Sequence, residues 1–372
     1  MAANLRPAVA SVGPVLNDIR DSLHLSSLGL SLLTSLPVVC FGLLAPLGPW
    51  LSRRTGLVRA IACFLALILV GLLVRIGPGV ATLFTGTLVI AAGIAAANVL
   101  LPALIKREFP TRTGHMMGVY TLAVTGSAAA GAGLTVPLQH ALGGSWRAGL
   151  GSWAVLAAFA LVLWAPQLGV DPEARVERIA SLGLVRDPVA WMVTIFFGLQ
   201  SMSFYAVLTW LPTLFEDHGL SAGAAGALLS LSALVQTPIA LTMPAIAVRV
   251  ATPSRLIVAS SVATALGLIP LVTVPMAAPY LWVIILGIGQ GAAFPLGLTL
   301  VVLRTRTSHA TQQLSSMSQG IGYLIAAVGP LLTGVLHAAT GHWTLPFAIL
   351  VVLLVPQTIA GVAASRPRFA GA

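Results

Sequence analysis

The chain has 372 residues, of which 58% are hydrophobic and only 8% charged, and its net charge is +10. A soluble domain carries about 25% charged residues, so a water-soluble globule is excluded and lipid has to be part of the solvent. The positive balance would suggest nucleic acid in a soluble protein. Here it reads as the Lys and Arg that cytoplasmic loops of membrane proteins collect, and no nucleic-acid partner is expected.

A membrane span needs about 20 apolar residues. Read from one charged or turn-rich break to the next, the chain offers twelve: roughly 1–17, 27–51, 57–76, 79–105, 114–139, 146–167, 188–213, 221–247, 255–275, 278–303, 312–337 and 343–364. Breaks fall at Arg53-Arg54-Thr55-Gly56, Gly77-Pro78-Gly79, Gly143-Gly144-Ser145 and Glu216-Asp217-His218-Gly219. With both termini cytoplasmic, fifteen Lys and Arg lie inside and three outside (Arg20, Arg75 and Arg147), with Arg6 left within a span. That asymmetry predicts a multi-pass protein of the plasma (inner) membrane with both ends in the cytoplasm.

The longest polar segment runs from Asp171 to Asp187 and divides the spans six and six. Asp171-Pro172-Glu173 within it reads as a helix start, with an Asp cap, Pro at the first position and an acid in the first turn. The halves repeat. His140 to Trp146 matches His337 to Trp343, Pro14 and Leu16 match Pro212 and Leu214, and Pro49, Arg54 and Arg59 resemble Pro244, Arg249 and Arg255, at offsets of 195 to 198. The expected fold is an all-α integral membrane protein with about twelve transmembrane helices in two pseudo-symmetric six-helix halves. Residues 1–170 and 188–372 form the halves, and 171–187 is a cytoplasmic linker.

Two six-span halves in parallel repeat are the pattern of the major facilitator transporters, whose substrate site lies near the membrane midplane between the halves. The stretch from Pro49 to Arg59 resembles that superfamily's Gly-x-x-x-Asp-Arg-x-Gly-Arg-Arg loop through Arg53, Arg54, Gly56 and Arg59. Pro49 stands for its first Gly and Arg53 for its Asp, so the usual carboxylate latch is not expected. Asn4-Leu5-Arg6-Pro7-Ala8-Val9, TSLPVVCFGLLAP at 34–46 and Asn98-Val99-Leu100-Leu101-Pro102-Ala103-Leu104-Ile105-Lys106-Arg107 together look like the cyanate permease and 2-nitroimidazole transporter family. Family members carry apolar residues ahead of the Asn-Leu-Arg-Pro stretch, whereas three residues precede it here. Sixteen residues rise roughly 24 Å against a hydrocarbon core of about 30 Å, so part of the first span is expected to be missing.

Charge inside a span costs about 2.5–3.5 kcal/mol on insertion scales, which makes each retained charge a functional candidate. Arg6 is the one clear case; all nine acids and seven histidines fall at span ends or in loops. No buried carboxylate or imidazole is therefore expected to relay protons. A guanidinium keeps its proton and presents a fixed donor fork to planar oxyanions, which points to an anionic or electronegative solute. Asn4 and Asn98 are the neutral candidates of the first half. Arg6 maps onto Phe204 in the second, which makes Gln200 and Tyr205 candidate partners; Gln290, Gln319 and Tyr323 complete the expected lining, with Gln236 weaker. For each the competing reading is a helix-to-helix hydrogen bond, worth about 0.6 kcal/mol. The small-residue runs Gly126 to Gly133 and Gly287 to Gly291 read as places where helix backbones approach closely.

The expectation is a secondary active transporter moving a small polar, anionic or electronegative solute (cyanate-like, nitroaromatic or a small carboxylate) by alternating access. It works as a monomer, without cofactor or metal, in the lipid bilayer, and a proton is the candidate coupling ion. A drug or toxic-compound exporter of the same superfamily is the alternative, disfavoured because the fifth span lacks a Gly-Pro pair. A membrane-embedded enzyme is opposed by the absence of a His-Glu-x-x-His or Gly-x-Ser-x-Gly motif, and a channel by the internal duplication.

Overall fold

The computed structural model describes residues 1–169, 182–250 and 252–371. The helix start expected at Asp171-Pro172-Glu173, with most of the linker, lies outside the described residues. Among those described, every regular element is helical. Two compact units are present. One comprises Met1–Leu104 with Ala123–Ala180, the other Ile105–Leu122 with Ser181–Ala372.

In the first unit the expected first span is not one helix. It is a 3-10 turn Ala2–Asn4, a single helical turn α1 (Pro7–Ala10), a second 3-10 turn Gly13–Val15, and α2 (Leu16–Leu23). Pro7 and Pro14 lack the amide that would continue the ladder, so each opens a new segment. Then follow α3 (Ser27–Leu44), α4 (Leu47–Thr55), α5 (Leu57–Arg75), α6 (Gly79–Glu108), α7 (Thr113–Ala141), α8 (Trp146–Gly151) and α9 (Trp153–Trp164). The chain bends by 51° between the apolar part of α3 and α4, where Pro46 sits as the N-cap of α4.

The second unit holds the far ends of α6 and α7 and then α10 (Leu182–Val185), α11 (Pro188–Asp217), α12 (Ala222–Ala247), α13 (Ser254–Thr273), α14 (Pro279–Leu303), α15 (Ser308–Thr340) and α16 (Thr344–Ala364). Among the described residues ten helices are long and apolar enough to cross a bilayer, eleven if the bent pair is one span. Of the twelve spans expected, the first is the one that holds no helix longer than the eight residues of α2. Val155, Phe159 and Val162 on α9, and Val352, Val355 and Ile359 on α16, are more than half exposed at helical spacing. Such stripes belong against lipid. The two cysteines differ: Cys40 on α3 is buried and Cys63 on α5 exposed.

The duplication has matching geometry in each unit taken by itself. His24 (φ 50°) and Gly219 (φ 93°) both adopt left-handed backbone. Two residues later the side chains of Ser26 and Ser221 accept from Gly29 N at 3.2 Å and Ala224 N at 3.3 Å, capping α3 and α12. Trp146 Nε1 donates to Ser22 Oγ at 2.7 Å, and its counterpart Trp343 to Asp217 Oδ2 at 2.9 Å. Glycines close the first span of each unit onto the fifth. A Cβ on Gly131 would stand 2.8 Å from Pro7 Cα, and one on Gly329 would stand 2.9 Å from Met202 Cγ. In the Gly126 to Gly133 run, Gly126 and Gly133 meet nothing within 4 Å, so close approach is confined to Gly131. The tenth-span run behaves as expected: Gly287 and Gly291 admit α12, and Gly289 admits α13.

Candidate functional site

The break in the first span is what places Arg6. It is the N-cap of α1 with φ −121° and ψ −33°, immediately before Pro7. Its side chain is half-buried, and its guanidinium carbon lies 5.6 Å from the centre of the buried Phe41 ring on α3. A guanidinium over an aromatic face at this distance gains cation–π attraction. Phe41 was not singled out from the sequence because its type carries no polar signal, although it stands inside the 34–46 stretch. Asn4, in the turn before Arg6, and Asn98, on α6, are both buried.

A second buried cation in this unit was not expected. Arg75, read from sequence as an outside-loop residue, is 1% exposed at the end of α5. Its Nη1 donates to the carbonyl of Ala8 within the first-span break.

In the second unit the predicted residues gather on α11, α14 and α15. Tyr323 meets Phe197 edge-on at 5.4 Å and Tyr205 at 6.5 Å; Tyr205 meets Phe204 at 5.3 Å, and Phe197 meets Phe294 at 6.1 Å. The approach is possible because Gly198 and Gly322 face one another, a Cβ on Gly198 standing 3.2 Å from Gly322 Cα. Gln200 Nε2 donates to Phe197 O at 3.1 Å and Ser201 Oγ at 2.6 Å, and Gln319 Nε2 to Ser315 Oγ at 2.7 Å. Gln290 is 5% exposed, and its Nε2 has no hydrogen-bond partner. Half-buried Gln236 donates weakly to Ser232 Oγ at 3.4 Å.

Among the described residues the acids lie at the ends of helices. Asp18 Oδ2 on α2 accepts from Gln139 at 2.7 Å. Asp217 receives Trp343 and lies 3.7 Å from His337, whose ring stacks on Trp343 at 3.7 Å. In the loop motif Arg53, Arg54 and Arg59 are exposed, and Arg54 stacks 4.2 Å over Trp50. Gly56 closes α4 at φ 86° and ψ 158°, backbone that side-chain-bearing residues avoid.

Among the described residues, an all-helical multi-pass frame with buried amides, aromatics and guanidinium, and acids confined to helix ends, is the frame of a solute carrier. The family model of the Major Facilitator Superfamily matches residues 7–327, and the chain belongs to that superfamily. The chain is 39% identical to the uncharacterized transporter YycB of Bacillus subtilis over 99% of this chain and 92% of that one. It is 36% identical to the 2-nitroimidazole transporter of Escherichia coli over 99% and 94%. It is 34% identical to the cyanate transport protein CynX of Escherichia coli over 93% and 90%. The fold is similar to that of the transporter FucP, a structure solved in that protein's outward conformation, with TM-score 0.72, 16% identity and 98% of each chain covered. The resemblance read from the sequence motifs is thereby borne out. The protein is a multi-pass membrane transporter and not an enzyme.

Proposed function

We propose that this transporter moves a small anionic or electronegative solute by alternating access, and that Arg6 is the group that recognises its negative charge. The observation that carries the reading is Arg6 itself: a half-buried guanidinium at a helix break, held over Phe41. The break frees backbone at that level, as in the discontinuous helices of many carriers. Asn4 and Asn98 in the first unit, and Gln200, Tyr205, Gln290, Gln319 and Tyr323 in the second, supply neutral hydrogen-bonding groups. The relatives' names agree in kind, since cyanate is an anion and a nitro group carries two electronegative oxygens. A proton is the proposed coupling ion, carried with the solute or through tyrosine and water. The termini and the 171–187 segment are placed in the cytoplasm and Glu216-Asp217-His218 outside; an impermeant thiol reagent reaching introduced cysteines from the wrong side would refute that orientation.

The test of the solute reading is uptake and counterflow in liposomes with cyanate, benzoate and 2-nitroimidazole. Arg6→Gln should lower affinity for the anions at least thirtyfold, the loss of about 2–5 kcal/mol typical of an unpaired buried charge contact. Arg6→Lys should recover only part, because an ammonium lacks the planar fork, and a neutral analogue should be affected little. Unchanged anion affinity in Arg6→Gln, with normal insertion, would remove the main support for an anionic solute.

A further inference from the structure

Arg75 carries an unfilled half. In a continuous first span the Ala8 carbonyl would accept from Val12 N. Here Val12 N turns to Val9 O at 3.3 Å, and the carbonyl accepts from Arg75 Nη1 instead. Arg75 reaches it because its backbone is pressed against α6 at Gly86, where a Cβ would stand 2.5 Å from Arg75 Cα. The remaining donors, Nε and Nη2, are buried and have no hydrogen-bond partner. These two lie on one edge of the guanidinium plane, with parallel N–H bonds spaced to match the two oxygens of a carboxylate. No carboxylate side chain among the described residues pairs with Arg75. Ser11 Oγ, in the same break and wholly buried, also lacks a partner.

Leaving charged donors buried and unmatched is strongly unfavourable. Packing of Arg75 needs only Nη1. The open bidentate edge is the geometry a planar oxyanion fills, and a spherical ion or a linear one with a single terminal oxygen cannot fill it as well. We propose that the Nε/Nη2 edge of Arg75, with the unpartnered Ser11 hydroxyl of the same break as a further donor, is a second anion-binding site that takes carboxylate-class planar oxyanions. The edge is closed to solvent here, so the anion reaches it when the first-span break moves. This inference rests on the reading of the solute as an anion and narrows it to planar, two-oxygen groups.

The experiment measures stabilisation of the purified full chain by benzoate, nitrate and chloride at equal ionic strength. The wild type is compared with Arg75→Lys, Ser11→Ala and Arg6→Gln. Lys at 75 can still reach the Ala8 carbonyl but has no fork. The wild type should prefer benzoate and nitrate to chloride. Arg75→Lys should melt near the wild type without anion and lose that preference at least tenfold, and Ser11→Ala should weaken it severalfold. Arg75→Lys binding benzoate and nitrate within twofold of the wild type overturns the proposal, and if Arg6→Gln alone then abolishes binding, the reading of Arg6 survives it. Anion binding lost in neither variant overturns both. Should Arg75→Lys fail to insert, the wild-type ranking decides, and chloride stabilising as much as benzoate and nitrate overturns the second site.

Discussion

Arg6 and Arg75 show why two guanidinium groups in one unit were not equally visible in the sequence. Arg6 interrupts an apolar run from within, so its burial follows from position alone. Arg75 ends such a run, where a charge normally reads as solvated. A helical side chain leans toward its own N-terminus, and that lean carries this one back into the protein. The available signal was the charge asymmetry. Arginines on the depleted side are there for a reason, and Arg147 likewise is engaged, stacked 4.3 Å over Trp146. The amide candidates were legible as polar residues in spans, but their pairing was not. Gln200 and Gln319 have partners for Nε2, whereas Gln290 Nε2 has none. Replacing a buried, unpaired amide with an apolar side chain of similar size is expected to be neutral or stabilising, since an orphaned group costs about 1–3 kcal/mol. Gln290→Met should therefore raise the melting temperature while weakening solute affinity. A variant that melts higher and transports with unchanged KM would show that the amide touches no solute.

At the scale of elements, apolar run lengths located every long helix, because lipid forces the backbone to satisfy its own hydrogen bonds. What they did not show was the fragmentation of the first span, a result of Pro7, Gly13 and Pro14 acting locally. Of the turns after the first span of each half, the sequence marked the second, Glu216 to Gly219, as a break, without the geometry it shares with the first. His24 and Gly219 occupy the same left-handed position ahead of a serine cap, and histidine carries there a steric penalty of roughly 1 kcal/mol that glycine does not. Part of the gain from removing it is offset by the freedom glycine brings to the unfolded chain. His24→Gly should stabilise by about 0.5 kcal/mol on these terms, and Gly219→His should destabilise by more. Thermal unfolding of the two variants checks it; a loss in His24→Gly would mean that the imidazole holds the turn through a contact of its own.

For the whole molecule, the sequence divides the chain at its most polar segment, 171–187, whereas the compact units cut α6 after Leu104 and α7 before Ala123. The piece between, Ile105–Leu122, belongs to the second unit through contacts no composition shift marks. Lys106 Nζ donates to Val302 O at 2.8 Å and to Thr305 Oγ1 at 3.1 Å, at the C-terminal end of α14, where a cation suits the helix dipole. Thr121 Oγ1 donates to Ala240 O at 2.6 Å. Gly114 lets α7 pass α12, a Cβ there standing 3.0 Å from Pro244 O, and a Cβ on Gly118 would overlap Leu241 O. Apart from Thr305 Oγ1, these grips end on backbone carbonyls or glycine, which fits a loop motif whose Asp is replaced by Arg53. Gly118→Ala should push α7 from α12, a strain of about 1–3 kcal/mol if the helices cannot yield. Spin labels at positions 115 and 246 would report a longer or broader distance, and an unchanged distribution would contradict the close approach. The unequal setting of the two cysteines has a practical side. With Cys40 shielded and Cys63 set within the apolar run of α5, water-borne maleimides should find almost no native target. Reporter dyes can then be installed one position at a time on the natural background, without first stripping the chain of its own thiols.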